Sequence, residues 1–194
     1  MRLPNFDFFA PQSLKEAVDI LSQLGNGAHI FAGGTDLLVK MSHGRLNPKA
    51  LITLEAIEGL RDIHFDQAKG LRIGSNTKLV DILNNAKIQD HYPSLIDAVK
   101  VMANVEIRNM GTVVGNICNA APSAETGPPL LAMEAVATVL GLNGEREIPL
   151  DDFFRGPGLT AMEPSEIMTS IFVPLPRRHS GTSYKRISAR CGVD

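Results

Sequence analysis

The sequence predicts an α+β fold in two parts, and three observations lead there. Residues 1–55 alternate helix and strand patterns, as a small α/β unit does. From residue 56 to 178, paired strands come first, helices follow, and more strands close the stretch. No internal repeat or low-complexity linker interrupts the 194 residues, a length that suits one large domain or two small ones.

The first part opens on Ser13-Leu14-Lys15-Glu16, a capping box with Ser13 as N-cap and Glu16 at N3. Leu14, Ala17, Val18, Leu21 and Leu24 follow at helical spacing, and Gly25 ends the helix. Ala28 to Ala32 has the apolar run of a buried strand, broken by Gly33-Gly34-Thr35-Asp36. A helix is expected over Leu37 to Met41 with Asp36 as its N-cap. Ala50 to Leu54 is a second strand.

In the second part, Leu60 to Phe65 and Gly70 to Gly74 read as strands joined by a turn at Asp66 to Lys69. Thr77 to Leu83 begins an amphipathic helix. His91 to Ala103 reads as one helix, with Pro93 tolerated in its first turn. Gly111 to Glu125 reads as a glycine-bearing loop and Pro128 to Ala135 as helical. Val136 to Gly141, Ile167 to Val173 and Ser183 to Ile187 read as strands. Residues 179–194 are then a last strand and the lead-in to whatever follows.

Composition narrows the function classes. Hydrophobic residues are 44% and charged residues 21%, with a formal net charge of −2, as in an ordinary globular protein. Basic residues are scattered, which argues against a nucleic-acid binder. No run approaches the roughly 18 apolar residues of a membrane helix, and Met1 to Pro11 has no signal-peptide core, so a cytoplasmic location is expected. Cys118 and Cys191 are the only cysteines, and a reduced setting is the simpler reading. With no CxxC, no HExxH and no His/Cys cluster, no zinc or iron–sulfur site is expected within the chain. Asp151-Asp152 before Phe153 reads as a helix N-terminus rather than a metal site. The histidines at 29, 43, 64, 91 and 179 are dispersed and suggest no catalytic triad.

Two segments carry chemistry. In Phe31-Ala32-Gly33-Gly34-Thr35-Asp36-Leu37 a strand runs into two glycines and a helix start. Such a turn lets a ligand approach the backbone, and its free N–H groups can hold a phosphate or pyrophosphate. The spacing is neither that of a GxGxxG fingerprint nor that of a Walker loop. The second segment, Ile107-Arg108-Asn109-Met110-Gly111-Thr112-Val113-Val114-Gly115-Asn116, continues through Cys118 to Thr126 and is rich in small and polar residues. Taken alone, each segment is more often a plain turn than a cofactor site.

Together they resemble the FAD-binding subunit of the molybdenum hydroxylases, a family that includes xanthine, carbon monoxide and nicotinate dehydrogenases. The family's AGGTDL stands unbroken at Ala32 to Leu37. Its IRNxGTxGGN stands at Ile107 to Asn116, with Val114 in place of the first glycine of the GG pair. Pro122 to Glu125, Glu166-Ile167 to Pro174 and Tyr184-Lys185 continue the match in order, from about residue 5 to about residue 190.

The resemblance implies a two-part FAD-binding domain, a small α/β piece and a larger α+β piece with FAD held non-covalently between them. It also implies a chain that lacks the family's usual C-terminal domain of roughly 100 residues. Ile30, Phe31, Ala32, Gly33, Gly34, Thr35, Asp36 and Leu37 would cradle the pyrophosphate. Thr112, Val113, Val114, Gly115 and Asn116 would bind the cofactor's other side, with the Cβ of Val114 pressing on one contact. Glu125 would accept from ribityl or ribose hydroxyls, and Cys118 would lie near the isoalloxazine. Ala103, Met168 and Lys185 match further flavin contacts. On residue type alone, Cys118 is a small buried hydrophobe, Lys185 a solvated lysine, and Met102, Met133 and Met168 core residues.

The function so implied is electron transfer. A large subunit carries the molybdenum cofactor, a small subunit carries [2Fe-2S] clusters, and this FAD passes the electrons to NAD+ or another acceptor. The flavin does the redox work, so no catalytic residue is assigned. The alternatives are an FAD-free scaffold or assembly module of the same fold, and a stand-alone flavin reductase. A valine at Gly34 is expected to weaken FAD binding by entering the pyrophosphate's space.

Overall fold

The structure, a computed structural model, describes residues 3–187. Cys191 and the rest of the lead-in from Ser188 lie outside the described residues. The first part is a parallel sheet of β1 (Asp7–Phe9), β3 (Ala50–Thr53) and β2 (Ala28–Phe31), with β3 in the middle. β3 is buried along its length, as the middle strand of a covered parallel sheet must be.

Helix α1 (Leu14–Leu24) lays Ala17, Val18 and Leu21 on that sheet. The Ser13 hydroxyl caps it, accepting from the Glu16 N–H at 3.2 Å. The Glu16 carboxylate reaches back one residue further than a capping box requires and accepts from the Gln12 N–H at 2.8 Å. Gly25 stops the helix at φ +54°, a conformation open to glycine. Helix α2 is Leu37–Ser42, but Asp36 does not cap it. Asp36 is already in helical conformation (φ −87°, ψ −40°), because the turn starts earlier, with the Leu38 N–H donating to the Gly34 carbonyl at 2.9 Å. An N-cap needs an extended backbone, and Asp36 has none.

The second part is an antiparallel five-stranded sheet of β4 (Ile63–Asp66), β5 (Gly70–Gly74), β10 (Ile167–Pro174), β6 (Val136–Gly141) and β7 (Gly144–Pro149), in that order. Asp66 shapes the β4–β5 turn by accepting from the N–H groups of Ala68 and Lys69 at 2.7 and 3.0 Å. The charged run Glu145-Arg146-Glu147 hides β7 in the sequence, since an edge strand tolerates charge. A short α9 (Leu150–Phe153) and a hairpin of β8 (Phe154–Gly156) and β9 (Leu159–Thr160) precede β10.

Helices α3 (Leu79–Leu83), α4 (Ala86–His91), α5 (Pro93–Val101), α6 (Val105–Met110), α7 (Val113–Asn119) and α8 (Gly127–Ala132) lie between β5 and β6. Their apolar faces meet the sheet in one core that includes Leu71, Leu95, Val113, Ile117, Val139 and Ile171. Tyr92, fully buried among them, donates to the Val173 carbonyl at 3.3 Å.

Three sequence expectations change here. The helix expected over His91 to Ala103 is the shorter α5, Pro93–Val101: His91 is the last residue of α4, Tyr92 leaves helical conformation at φ −131°, and Pro93, which has no N–H to give, starts α5 at its first position. The loop over Gly111 to Glu125 contains α7: Thr112 caps it, accepting from the Gly115 N–H at 2.9 Å, and Val113, Val114 and Ile117 are buried on one side. Ser183 to Ile187 is not a strand. It pairs with no β-strand among the described residues, and its alternation comes from Tyr184 and Arg186 turning inward while Lys185 faces solvent. Arg186 donates there to the Val101 carbonyl at 3.4 Å.

Because α1 anchors the first core through its cap, Ser13→Ala is expected to lower unfolding free energy by about 1 kcal/mol. Urea denaturation followed by circular dichroism checks this.

Candidate functional site

The two glycine-bearing segments meet. A Cβ on Gly33 would strike the carbonyl oxygen of Met110 and come within 2.7 Å of the Gly111 Cα. Gly33 is bare because backbone from the second part passes directly over it. Gly34 lies at φ +68°, where a Cβ would also strike the Phe31 ring. The Thr35 hydroxyl lies beside Gly111, 3.6 Å from where that residue's Cβ would be. Gly111 is fixed in turn, with its carbonyl accepting from the Leu79 N–H at 2.9 Å. Further along, Lys40 Nζ donates to Asn119 Oδ1 at 2.6 Å and ties α2 to α7.

Around this junction opens a cavity of about 720 Å³. That is within the roughly 300–1,000 Å³ typical of cofactor sites. Ile30 and Ala32 to Leu37 form one wall, at the C-terminal ends of the parallel strands. Ala103, Thr112, Val114, Gly115, Asn116, Cys118, Glu125 and Met168 line it from the second part. Three residues predicted for the site lie off the wall. Phe31 packs beneath Gly34 and edge-on to Phe8 at 6.2 Å. Val113 is fully buried in the core. Lys185 points to solvent, and Tyr184 and Arg186 on either side of it line the cavity instead. Val114 stands in the first turn of α7 with its side chain 4% exposed, so the methyls pack mainly into the core.

The wall is held by bonds from behind. Arg108 Nη1 donates to the carbonyls of Met102 (2.8 Å) and Ala103 (2.9 Å). These bonds secure Ala103 at φ +48°, a strained conformation for a residue with a Cβ. Asn116 Oδ1 accepts from the Thr126 hydroxyl at 2.6 Å, which leaves the amide's NH2 as the end that can donate. Asn76 Nδ2 donates to the Leu54 carbonyl at 2.7 Å and joins β3 to the end of β5.

The electrostatics of the cavity are quiet. Burial, with Lys40 nearby, holds the His29 pKa below its ordinary value, so this wall residue is neutral at pH 7. Burial pushes the Cys118 thiol up to about 12, so it stays protonated and packs at 4.0 Å from the sulfurs of Met162 and Met168. Glu166 is nearly buried, and Arg146 grips its two oxygens at 2.6 and 2.7 Å. That pairing, with the Glu163 N–H donating at 2.7 Å, holds the Glu166 carboxyl below its ordinary pKa. Glu125 is paired to Arg186 at 3.3 Å, although a carboxylate retains further lone pairs for a ligand. Burial and Glu125 together raise the Tyr184 pKa.

Sequence reasoning missed His29, Lys40, Ser75, Asn119, Met162, Glu166, Tyr184 and Arg186 as wall residues. Lys40 offered a signal one helical turn beyond the glycine motif, and Glu166 and Tyr184 stood within the later motif matches without being assigned to the site. Ser75 is the single buried side-chain polar atom with no hydrogen-bond partner among the described residues. Among those residues no His, Cys, Asp or Glu group could hold a metal ion, and no helix is long and apolar enough to cross a membrane.

Comparison with known proteins agrees with this architecture. A family profile described as the FAD binding domain in molybdopterin dehydrogenase matches residues 4–176. The carbon monoxide dehydrogenase medium chain of Hydrogenophaga pseudoflava is 34% identical over 189 residues, covering 97% of this chain and 66% of that one. The xanthine dehydrogenase FAD-binding subunit of Escherichia coli O157:H7 is 31% identical over 192 residues, covering 97% and 66%. A solved carbon monoxide dehydrogenase from Hydrogenophaga pseudoflava, lacking the Mo-pyranopterin moiety of its cofactor, superposes at a TM-score of 0.94 with 34% identity, over 99% of this chain and 67% of that one. The chain thus spans about two thirds of the length of these relatives.

The depressed Glu166 carboxyl contributes stability that is present above the ordinary carboxylate pKa of about 4.3 and lost as pH falls through its lower folded value. The stability gap between wild type and Glu166→Gln is therefore expected to shrink as pH falls from about 5 to about 3. Urea titrations across that range measure it.

Proposed function

This chain belongs to the family of FAD-binding domains of molybdopterin dehydrogenases, and from that premise we propose that it is the FAD-carrying electron-transfer part of a molybdenum hydroxylase. In this reading a large subunit holds the molybdenum cofactor and a small subunit holds [2Fe-2S] clusters. FAD held here would supply reversible redox chemistry between those clusters and NAD+ or another acceptor. The medium-chain name of the Hydrogenophaga pseudoflava relative supports the partner subunits.

The observation that carries the reading is the junction of Gly33 with Met110 and Gly111, which brings both motifs to one cavity of suitable size. The residues present fit FAD. The backbone of Ala32 to Leu37 lines the cavity with the low bulk that a pyrophosphate needs. Thr112, Gly115 and Asn116 face it from the second part. The apolar stretch of Leu54, Met162, Ile167 and Met168 suits a flat ring system. Residues 1–55 and 56–178 are then the two halves that flank the cofactor. The chain's own part is to bind, orient and keep water from the rings. Neutral His29, protonated Cys118 and paired Glu166 put no unbalanced charge beside the flavin from these three positions.

Purified protein is expected to retain added FAD through gel filtration, with absorbance bands near roughly 370 and 450 nm. Protein that never retains flavin would contradict the reading and favour a scaffold of the same fold. Gly34→Val is expected to weaken FAD binding at least tenfold in a folded variant, because its φ of +68° and the Phe31 ring force the loop to move. The side chain acts through Phe31 and the backbone rather than by entering the ligand's space. Flavin-fluorescence titration, with circular dichroism as the folding control, measures it.

A further inference from the structure

Ser75 follows directly on β5, at the seam between the two parts. Its N–H donates to the Thr169 carbonyl at 3.0 Å, at the bulge where β10 shifts register between Met168 and Ser170. The next residue, Asn76, is bonded to Leu54. Ser75 is 2% exposed and lines the cavity, yet its hydroxyl has no hydrogen-bond partner and almost no exposed surface of its own. The wall residues beside these bonds, Leu54 and Met168, are apolar, and the carboxylate of Glu166, two residues before Met168, is already taken up by Arg146.

An unsatisfied hydroxyl in a buried position is a standing penalty for the free protein. It can persist where a ligand supplies the missing partner. Serine has one heavy-atom rotor, and moving it between staggered positions is cheap.

Resting on the FAD reading above, we propose that Ser75 is a cofactor-positioning residue. Its hydroxyl donates a hydrogen bond to an acceptor on the edge of the FAD ring system seated against Leu54 and Met168. That stretch of wall is too apolar for a phosphate, whereas a flat ring with one polar edge matches it. Either the isoalloxazine or the adenine offers such an edge.

The test compares wild type with Ser75→Ala, which keeps the shape and removes only the hydroxyl. Two readouts are expected to move in opposite directions. The FAD-free variant melts about 2–4 °C higher, since the unpartnered group is gone. Its FAD dissociation constant rises roughly threefold to tenfold, the worth of one neutral hydrogen bond. Titrations with riboflavin and with ADP then assign the ring: weakened riboflavin binding and a shifted flavin band near roughly 450 nm point to the isoalloxazine, and weakened ADP binding alone points to the adenine. Unchanged FAD affinity in a well-folded Ser75→Ala overturns the role of Ser75 and leaves the FAD reading intact. Failure of the wild type itself to bind FAD overturns both.

Discussion

The contact between Gly33 and the Met110–Gly111 backbone is the constraint on which the rest of the site depends. Two sheets of different type, one parallel and one antiparallel, have no hydrogen-bonded ladder in common. They come together through α1, through apolar residues such as Leu140 and Ile167 that join the first core, and through this side-chain-free crossing. Interiors pack densely and cannot absorb an added methyl where backbone meets backbone. The close approach lines up the amides of the first loop with the start of α7 across one cavity. Without it the glycine loop and the Thr112 to Asn116 segment would belong to separate surfaces.

Around that crossing the structure spends its polar groups on rigidity. Arg108 holds the Met102–Ala103 turn, Thr126 orients Asn116, Asn76 ties β5 to β3, and Arg146 anchors Glu166 and, through the Ala161 carbonyl at 3.0 Å, the loop that carries Met162. Each arrangement satisfies a buried group and fixes a piece of wall, so a ligand would meet a preformed shape. The charges near the cavity are mostly paired among themselves, which leaves the redox character of a bound flavin to hydrogen bonds and an apolar surround.

Much of this was legible in the sequence. Apolar runs marked the strands of both sheets except β1, which is only three residues long, and β7, whose charged edge masks the pattern. Ser13 and Gly25 bounded α1 through capping chemistry that is local and therefore readable. The α7 segment was hidden because Gly115 and Asn116 look like a loop, while the Thr112 cap and the burial of Val113, Val114 and Ile117 that stabilise the helix depend on the surrounding fold. The two motifs pointed to one site, but the reason for each glycine did not follow from the motifs. Gly33 is bare for a backbone neighbour 77 residues away, and Gly34 for its own turn and a ring three residues back. Ser75 joined the wall through tertiary contacts that no local pattern announces, while Glu166 and Tyr184 lay in motif matches that gave them no place in the site.

Hydrogen exchange of the chain with and without FAD tests most directly the claim that the two loops form one binding surface. The account predicts that FAD slows amide exchange in residues 32–37 and in residues 111–119 together, at the same FAD concentration. Protection of only one of the two segments, or of neither while flavin stays bound, would contradict it.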